Sequence, residues 1–258
     1  MIPLKTEDEI DAIARGGAII GELFGSLAER IRPGISTADI DEHVDTFIRD
    51  HAGAVPAFKG LYGFPASACV SVNEEVVHGI PRRRRLLKNG DIVSIDVGVR
   101  LDGWYADAAV TLTAGDVSDA TLRLLDTTRE ALRLGIAQAV AGNRLGDIGH
   151  AIQRCAEDAG FSVVRELVGH GIGREPHEEP QIPNYGRAGR GIPLLSGMVL
   201  AIEPMVNEGV ADVHTLSDQW TVVTRDRRCS AHFEHTVAVT DAGPRILTAA
   251  AVAGGVRQ

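Results

Sequence analysis

Apolar residues at helical spacing open the chain. Ile10, Ile13, Ile20, Phe24, Leu27 and Ile31 fall on one face of a helix. Thr6 with Glu9 makes a capping-box start, and Pro33-Gly34 a stop. A second, shorter helix is expected to run to Gly53. The plan then returns: Leu122, Leu125, Leu132, Ile136 and Val140 mark a long helix ending by Gly142-Asn143, and a short helix follows to Gly160. Between and after the helix pairs lie apolar runs of strand length, Ile92-Val93-Ser94-Ile95-Asp96-Val97 and Met198-Val199-Leu200-Ala201-Ile202-Glu203.

The two passages share a register. Gly34 leads to Asp39-Ile40 as Gly142 leads to Asp147-Ile148, an offset of 108 residues. Gly90 stands before Asp96 as Gly197 stands before Glu203, at an offset of 107. Asp107 and Glu234 each open an apolar β-type run. Matches in one order over halves of about 110 residues, too long for a solenoid repeat, predict two fused copies of an α/β unit. The halves are expected at about 6–115 and about 118–245, packed about a pseudo-twofold axis within a single catalytic domain spanning 1–258. Asp96, Asp107, Glu203 and Glu234 would then hold equivalent strand positions and converge at the centre.

Composition adds exclusions. A hydrophobic content of 44 % with 24 % charged residues is an ordinary globular mix, and a net charge of −9 gives no general footprint for nucleic acid, so no specific DNA binding is expected. Three scattered cysteines form neither a disulfide framework nor a zinc knuckle, which suits a reducing compartment. The start Met1-Ile2-Pro3-Leu4-Lys5-Thr6-Glu7-Asp8 is not that of a signal peptide, and no apolar run approaches the ~20 residues that cross a bilayer. A cytoplasmic protein with no membrane contact is expected.

The four acids carry the chemistry. An ionised carboxylate in an apolar strand costs several kcal/mol unless a cation or strong hydrogen bonds compensate it. One such acid is ordinarily a structural salt bridge, whereas four related by a repeat favour metal. His170, between glycines in Gly169-His170-Gly171-Ile172-Gly173, is the candidate fifth ligand. The same segment lacks the third glycine of a dinucleotide fingerprint. Four carboxylates and one imidazole suit two divalent ions of manganese, iron(II), cobalt or zinc.

Val76-Val77-His78-Gly79-Ile80-Pro81, Ser94-Ile95-Asp96-Val97-Gly98, Gly169-His170-Gly171-Ile172-Gly173, His177-Glu178-Glu179-Pro180, Ala201-Ile202-Glu203-Pro204 and Phe233-Glu234-His235-Thr236 resemble the signature segments of the type I methionine aminopeptidases of bacteria. The resemblance spans nearly the whole chain and implies the α/β pita-bread fold, two pseudo-symmetric halves with a curved antiparallel sheet flanked by helices. It further implies removal of the N-terminal methionine from nascent chains with a small second residue, by attack of metal-activated hydroxide on the first peptide bond. Asp107 and Glu234 would bridge two ions, Asp96 chelate one, and His170 with Glu203 complete the other. His177 would polarise the scissile carbonyl, His78 contact the leaving amide nitrogen, and Glu203 shuttle the proton.

The same resemblance places Phe58, Leu61, Phe64, Cys69, Pro176 and Trp220 in a cup for the methionine side chain. Leu61 and Phe64 stand where tyrosines are usual, Pro176 where a larger residue often precedes the histidine, and His232 where glutamine is common. Arg82-Arg83-Arg84-Arg85, the one basic run, reads as a solvated loop, with transient ribosome contact as the functional alternative. A monomer is expected. The rival within the same fold is a proline-directed peptidase of the prolidase or aminopeptidase P type, which usually carries a further domain before the catalytic one.

Overall fold

The structure is a computed structural model, and it describes residues 2–249. Helix α1 covers Glu7–Arg30, α2 Thr37–Arg49, α3 Asp119–Ala137 and α4 Leu145–Asp158. The capping box read at Thr6 and Glu9 starts α1, and its apolar stripe, Ile10, Ile13, Ile20, Leu23 and Leu27, is buried against the sheet. The α2 helix stops at Arg49, short of the Gly53 boundary.

In the first half the long strand Asp91–Leu101 pairs with Trp104–Ala114 on one side and with Ala68–Val72 on the other, all antiparallel. In the second half a five-stranded antiparallel sheet runs in the order Gly243–Ile246, His235–Thr240, Val199–Ile202, Val168–Gly171, Glu178–Pro183. Each half has its own core: one gathers α1, α2 and the Asp96 strand, the other α3, α4 and the Val199–Ile202 strand.

Hydrogen bonds repeat along with the sequence. Gly34 N–H donates to Leu87 O and Gly142 N–H to Leu194 O, at 2.7 and 3.0 Å. Leu87 N–H donates to Ile35 O as Leu194 N–H does to Asn143 O. Asp39 and Asp147 each accept the N–H three residues earlier, from Ser36 and Arg144. Gly34 and Gly142 have φ of +91° and +96°, a backbone that favours glycine and explains its return at that step.

The halves differ where the acids sit, which corrects one expectation. Asp96 and Asp107 lie inside continuous strands of 11 residues. Glu203 falls in a gap between Val199–Ile202 and Met205–Asn207, and Glu234 in a gap between Ser230–His232 and His235–Thr240. Pro204 supplies no N–H for the ladder, so the pairing breaks there. The halves meet along the Asp107 strand: Glu234 N–H donates to Ala109 O at 2.9 Å, and Thr236 Oγ1 lies 2.7 Å from Asp107 O.

Candidate active site

The four acids and His170 converge at the floor of a cavity of about 580 Å³. Asp107, His170 and Glu234 each offer a ligand atom within 4.8 Å of the others. His170 Nε2 lies 3.5 Å from both Asp107 Oδ2 and Glu203 Oε1. Its Nδ1 is 3.0 Å from Gly171 O, so a proton on Nδ1 is taken up by that carbonyl and Nε2 presents its lone pair to the acids.

Burial without a protein cation marks the cluster. Asp107 and Glu234 are 4 % and 3 % exposed, and Asp96 Oδ1 is buried with no hydrogen-bond partner. Burial pushes Asp96, Glu203 and Glu234 well above the ordinary carboxylate range, and the neighbouring acids push them further. Asp107 is raised by burial to about 7, against the opposing hydrogen bond from Thr236. Among the described residues no lysine or arginine pairs with any of the four. Buried charges are ordinarily paired or bound to metal, so this donor set fits divalent cations.

His78 and His177 line the same cavity. His177 meets the His170 ring edge-on at 4.5 Å between centroids and stacks on Tyr62 at 5.9 Å. Burial, with the His170 charge next, lowers its pKa; His78 is lowered by burial and then by His177. His78 has φ of +58° and Gly79 packs against Val70, where a Cβ would collide with the Val70 carbonyl.

The apolar wall comes from Phe58, Leu61, Phe64, Cys69 and Trp220. Phe64 meets Trp220 edge-on, 5.1 Å between centroids at 70°. Cys69 lies opposite Asp96 in the ladder, and burial with that acid pushes its thiol up. Pro176 is buried behind the lining, to which its loop gives His177, Glu178 and Glu179. A short ring with fixed φ lacks the reach of the larger residue usual there.

Sequence reasoning missed Tyr62, Leu167, Gln181 and Met205 among the lining residues. Only Tyr62 left a signal, standing between Gly60 and Gly63 with a φ of +51°. His232 is 1 % exposed, its ring nitrogens have no hydrogen-bond partner, and its Nε2 is 3.8 Å from Glu203 Oε2. Burial, then the His78 charge, holds its pKa down to about 3. The basic run is drawn into ion pairs: Arg82 to Asp218 at 2.9 Å, and Arg83 to Glu42 and Asp39.

A fold of two α/β halves with an acid cluster and one imidazole at their junction defines a metallopeptidase site, and the chain belongs to the metallopeptidase family M24, whose model matches residues 11–241. Among curated proteins it is similar to the methionine aminopeptidase of Clostridium perfringens, 54 % identical over 96 % of this chain and 99 % of that one. Among solved structures it resembles the methionine aminopeptidase of Rickettsia prowazekii, with a TM-score of 0.94 and 44 % identity over 96 % of this chain and 100 % of that one. The prolidase of Pyrococcus furiosus shares the fold at a TM-score of 0.78 with 21 % identity, over 96 % of this chain and 66 % of its own. Among the described residues no helix is long and apolar enough to cross a membrane.

Proposed function

We propose that this single-domain metallopeptidase is a cytoplasmic methionine aminopeptidase, removing the N-terminal methionine of peptides and nascent chains whose second residue is small. One observation carries the reading. Four buried or half-buried carboxylates and His170, with no lysine or arginine partner among the described residues, line a cavity together with Phe58, Phe64, Cys69 and Trp220. An aromatic and thiol-lined cup suits the polarizable methionine thioether.

Asp96, Asp107, His170, Glu203 and Glu234 would hold two divalent ions of cobalt, manganese, iron(II) or zinc; bound ions of this kind polarise a carbonyl and bring the pKa of water from 15.7 towards ~7. The side chains do the remaining work. The apolar wall seats the methionine and fixes the first peptide bond across the acids. His177, at the more open side with Nδ1 3.5 Å from the Tyr62 hydroxyl, donates to the scissile carbonyl oxygen as negative charge develops there. His78, also in the lining, contacts the leaving amide, and Glu203 carries a proton to its nitrogen.

Turnover of Met-Ala-Ser, Met-Lys-Ser and an X-Pro peptide tests the reading. Met-Ala-Ser is expected to be cleaved well and Met-Lys-Ser poorly. Preference for X-Pro would replace it with the proline-directed alternative, and equal rates on both methionine peptides would refute the small-residue constraint.

A further inference from the structure

His177 is poorly held by its own side chain. It is exposed, and its nearest polar side-chain contact is the 3.5 Å approach of Tyr62. Its ring otherwise only touches the His170 and Tyr62 rings, at 4.5 and 5.9 Å between centroids, so its height depends on the backbone of the loop that carries it, and that loop is closed by Glu178. Glu178 Oε1 accepts the N–H of Arg174 at 2.8 Å and of Glu175 at 3.2 Å. Its Oε2 accepts Lys5 Nζ at 2.5 Å, across 173 residues of sequence.

The Lys5–Glu178 pair is buried, with side chains 4 % and 9 % exposed, and no other ion pair among the described residues has both partners so enclosed. Two glycines make the room. A Cβ at Gly173 would lie 2.5 Å from Lys5 Cε and 2.9 Å from Glu178 Oε1. A Cβ at Gly197 would lie 2.8 Å from Lys5 O, and the Lys5 N–H donates to Gly197 O at 2.7 Å. Lys5 is thus pinned at backbone and side chain, and the last glycine of the Gly169–Gly173 segment serves it.

A buried ion pair contributes little net stability relative to apolar packing, so its better-attested use is to fix one arrangement. We propose that Lys5 is a positioning residue for His177: its ammonium locks Glu178, and Glu178 closes the 174–177 loop at the height from which His177 reaches the scissile carbonyl. Lys5 also neutralises one of the two further acids, Glu178 and Glu179, that line a cavity already holding four. This rests on the role given to His177 above.

A double-mutant cycle on the metal-loaded enzyme with Met-Ala-Ser tests it, read as kcat, KM, metal per chain and inhibition by free methionine. His177→Ala should lower kcat roughly 10²–10³-fold by loss of one donor to the developing oxyanion. Lys5→Met should lower kcat about 10–100-fold by misplacing that donor, with KM, metal content and methionine binding unchanged. In the Lys5→Met/His177→Ala protein the Lys5 deficit should vanish. If Lys5→Met does not fold, Lys5→Arg carries the test, since it keeps the cation but cannot occupy the same space beside Gly173; its deficit must likewise vanish without His177. Deficits that multiply, or a Lys5 variant with full kcat, would overturn the positioning role alone. Wild-type kcat in His177→Ala would overturn the His177 assignment and the proposal with it.

Discussion

Replacing Asp107 by asparagine keeps the shape of the side chain and removes its titration. Burial holds Asp107 at about 7 in the folded protein, against 3.8 in an unfolded chain. Between those values the folded, metal-free protein keeps a proton that the unfolded chain has released. Its stability therefore falls as pH rises through that window, by about 1.4 kcal/mol per pH unit for one proton. From pH 5 to pH 7 this amounts to about 3 kcal/mol, or roughly 6–12 °C in Tm for a chain of this size. Buried histidines act in the opposite direction: His232 at about 3 and His235 at about 4 lie below the usual 6.5, and their contribution grows as pH rises to that value. They are present in both proteins and drop out of the difference between wild type and Asp107→Asn, which reads the Asp107 carboxyl together with the upward push it exerts on Asp96, Glu203 and Glu234.

The assay is thermal unfolding with a chelator present, at pH steps from 5 to 8. Wild type should lose about 6–12 °C relative to Asp107→Asn across that range. Adding a divalent ion should stabilise wild type more at the upper end, because the ligands bind metal deprotonated. A Tm difference that does not change with pH, or that grows in favour of wild type, would mean Asp107 is already ionised without metal, and the argument from an uncompensated acid cluster would fail.

Trp220→Ala removes the edge-on partner of Phe64 and one wall of the cup, and seating a buried side chain is worth about 1.5–3 kcal/mol, so KM for Met-Ala-Ser should rise about 10–100-fold with a smaller change in kcat; an unchanged KM would move the methionine elsewhere. Gly98→Ala places a Cβ 2.7 Å from Phe58 Cε1 and 2.9 Å from Ala57 Cβ, and should crowd Phe58 into the cavity. kcat/KM for a methionine substrate should fall about tenfold relative to one with a shorter first side chain, at unchanged metal content; equal losses on both would show that Phe58 does not shape the cup.

The helices and the duplication were legible because they rest on local signals. Thr6 and Glu9 satisfy each other's backbone groups within one turn, and Gly34 and Gly142 need a left-handed backbone wherever the chain turns that way. The strand gaps at Glu203 and Glu234 were not legible, since a repeat in sequence register says nothing about whether the ladder closes; Pro204 was the signal, and the apolar run around it concealed it. The pairing of Arg82 with Asp218 and of Arg83 with Glu42 spans 136 and 41 residues, beyond any periodicity, so a basic run read as solvated or docking is partly neutralised in place. The Lys5–Glu178 pair was hidden for the same reason.

Duplication accounts for the acids, but it cannot account for direction across the site. A site with true twofold symmetry would present the same groups to both ends of a peptide and could not tell an amino terminus from a carbonyl. Here the strands flanking the two acid-bearing strands have diverged. Ala68–Val72 brings Cys69 opposite Asp96, whereas Val168–Gly171 brings His170 opposite Ala201, one residue pair from Glu203's end of its strand. The first half lines the cavity with Phe58, Leu61, Phe64 and Cys69, and the second brings His170 and His177 beside Leu167, Val168 and Met205. The shared register builds a charge cluster at the axis, and on the proposed reading the unequal walls would give it an apolar side for the methionine side chain and an imidazole side for a developing oxyanion. In that division His78 and Trp220 cross over: a first-half histidine, which on the proposed reading faces the leaving amide, and a second-half indole packed on Phe64, so each half contributes to the other's end of the cavity.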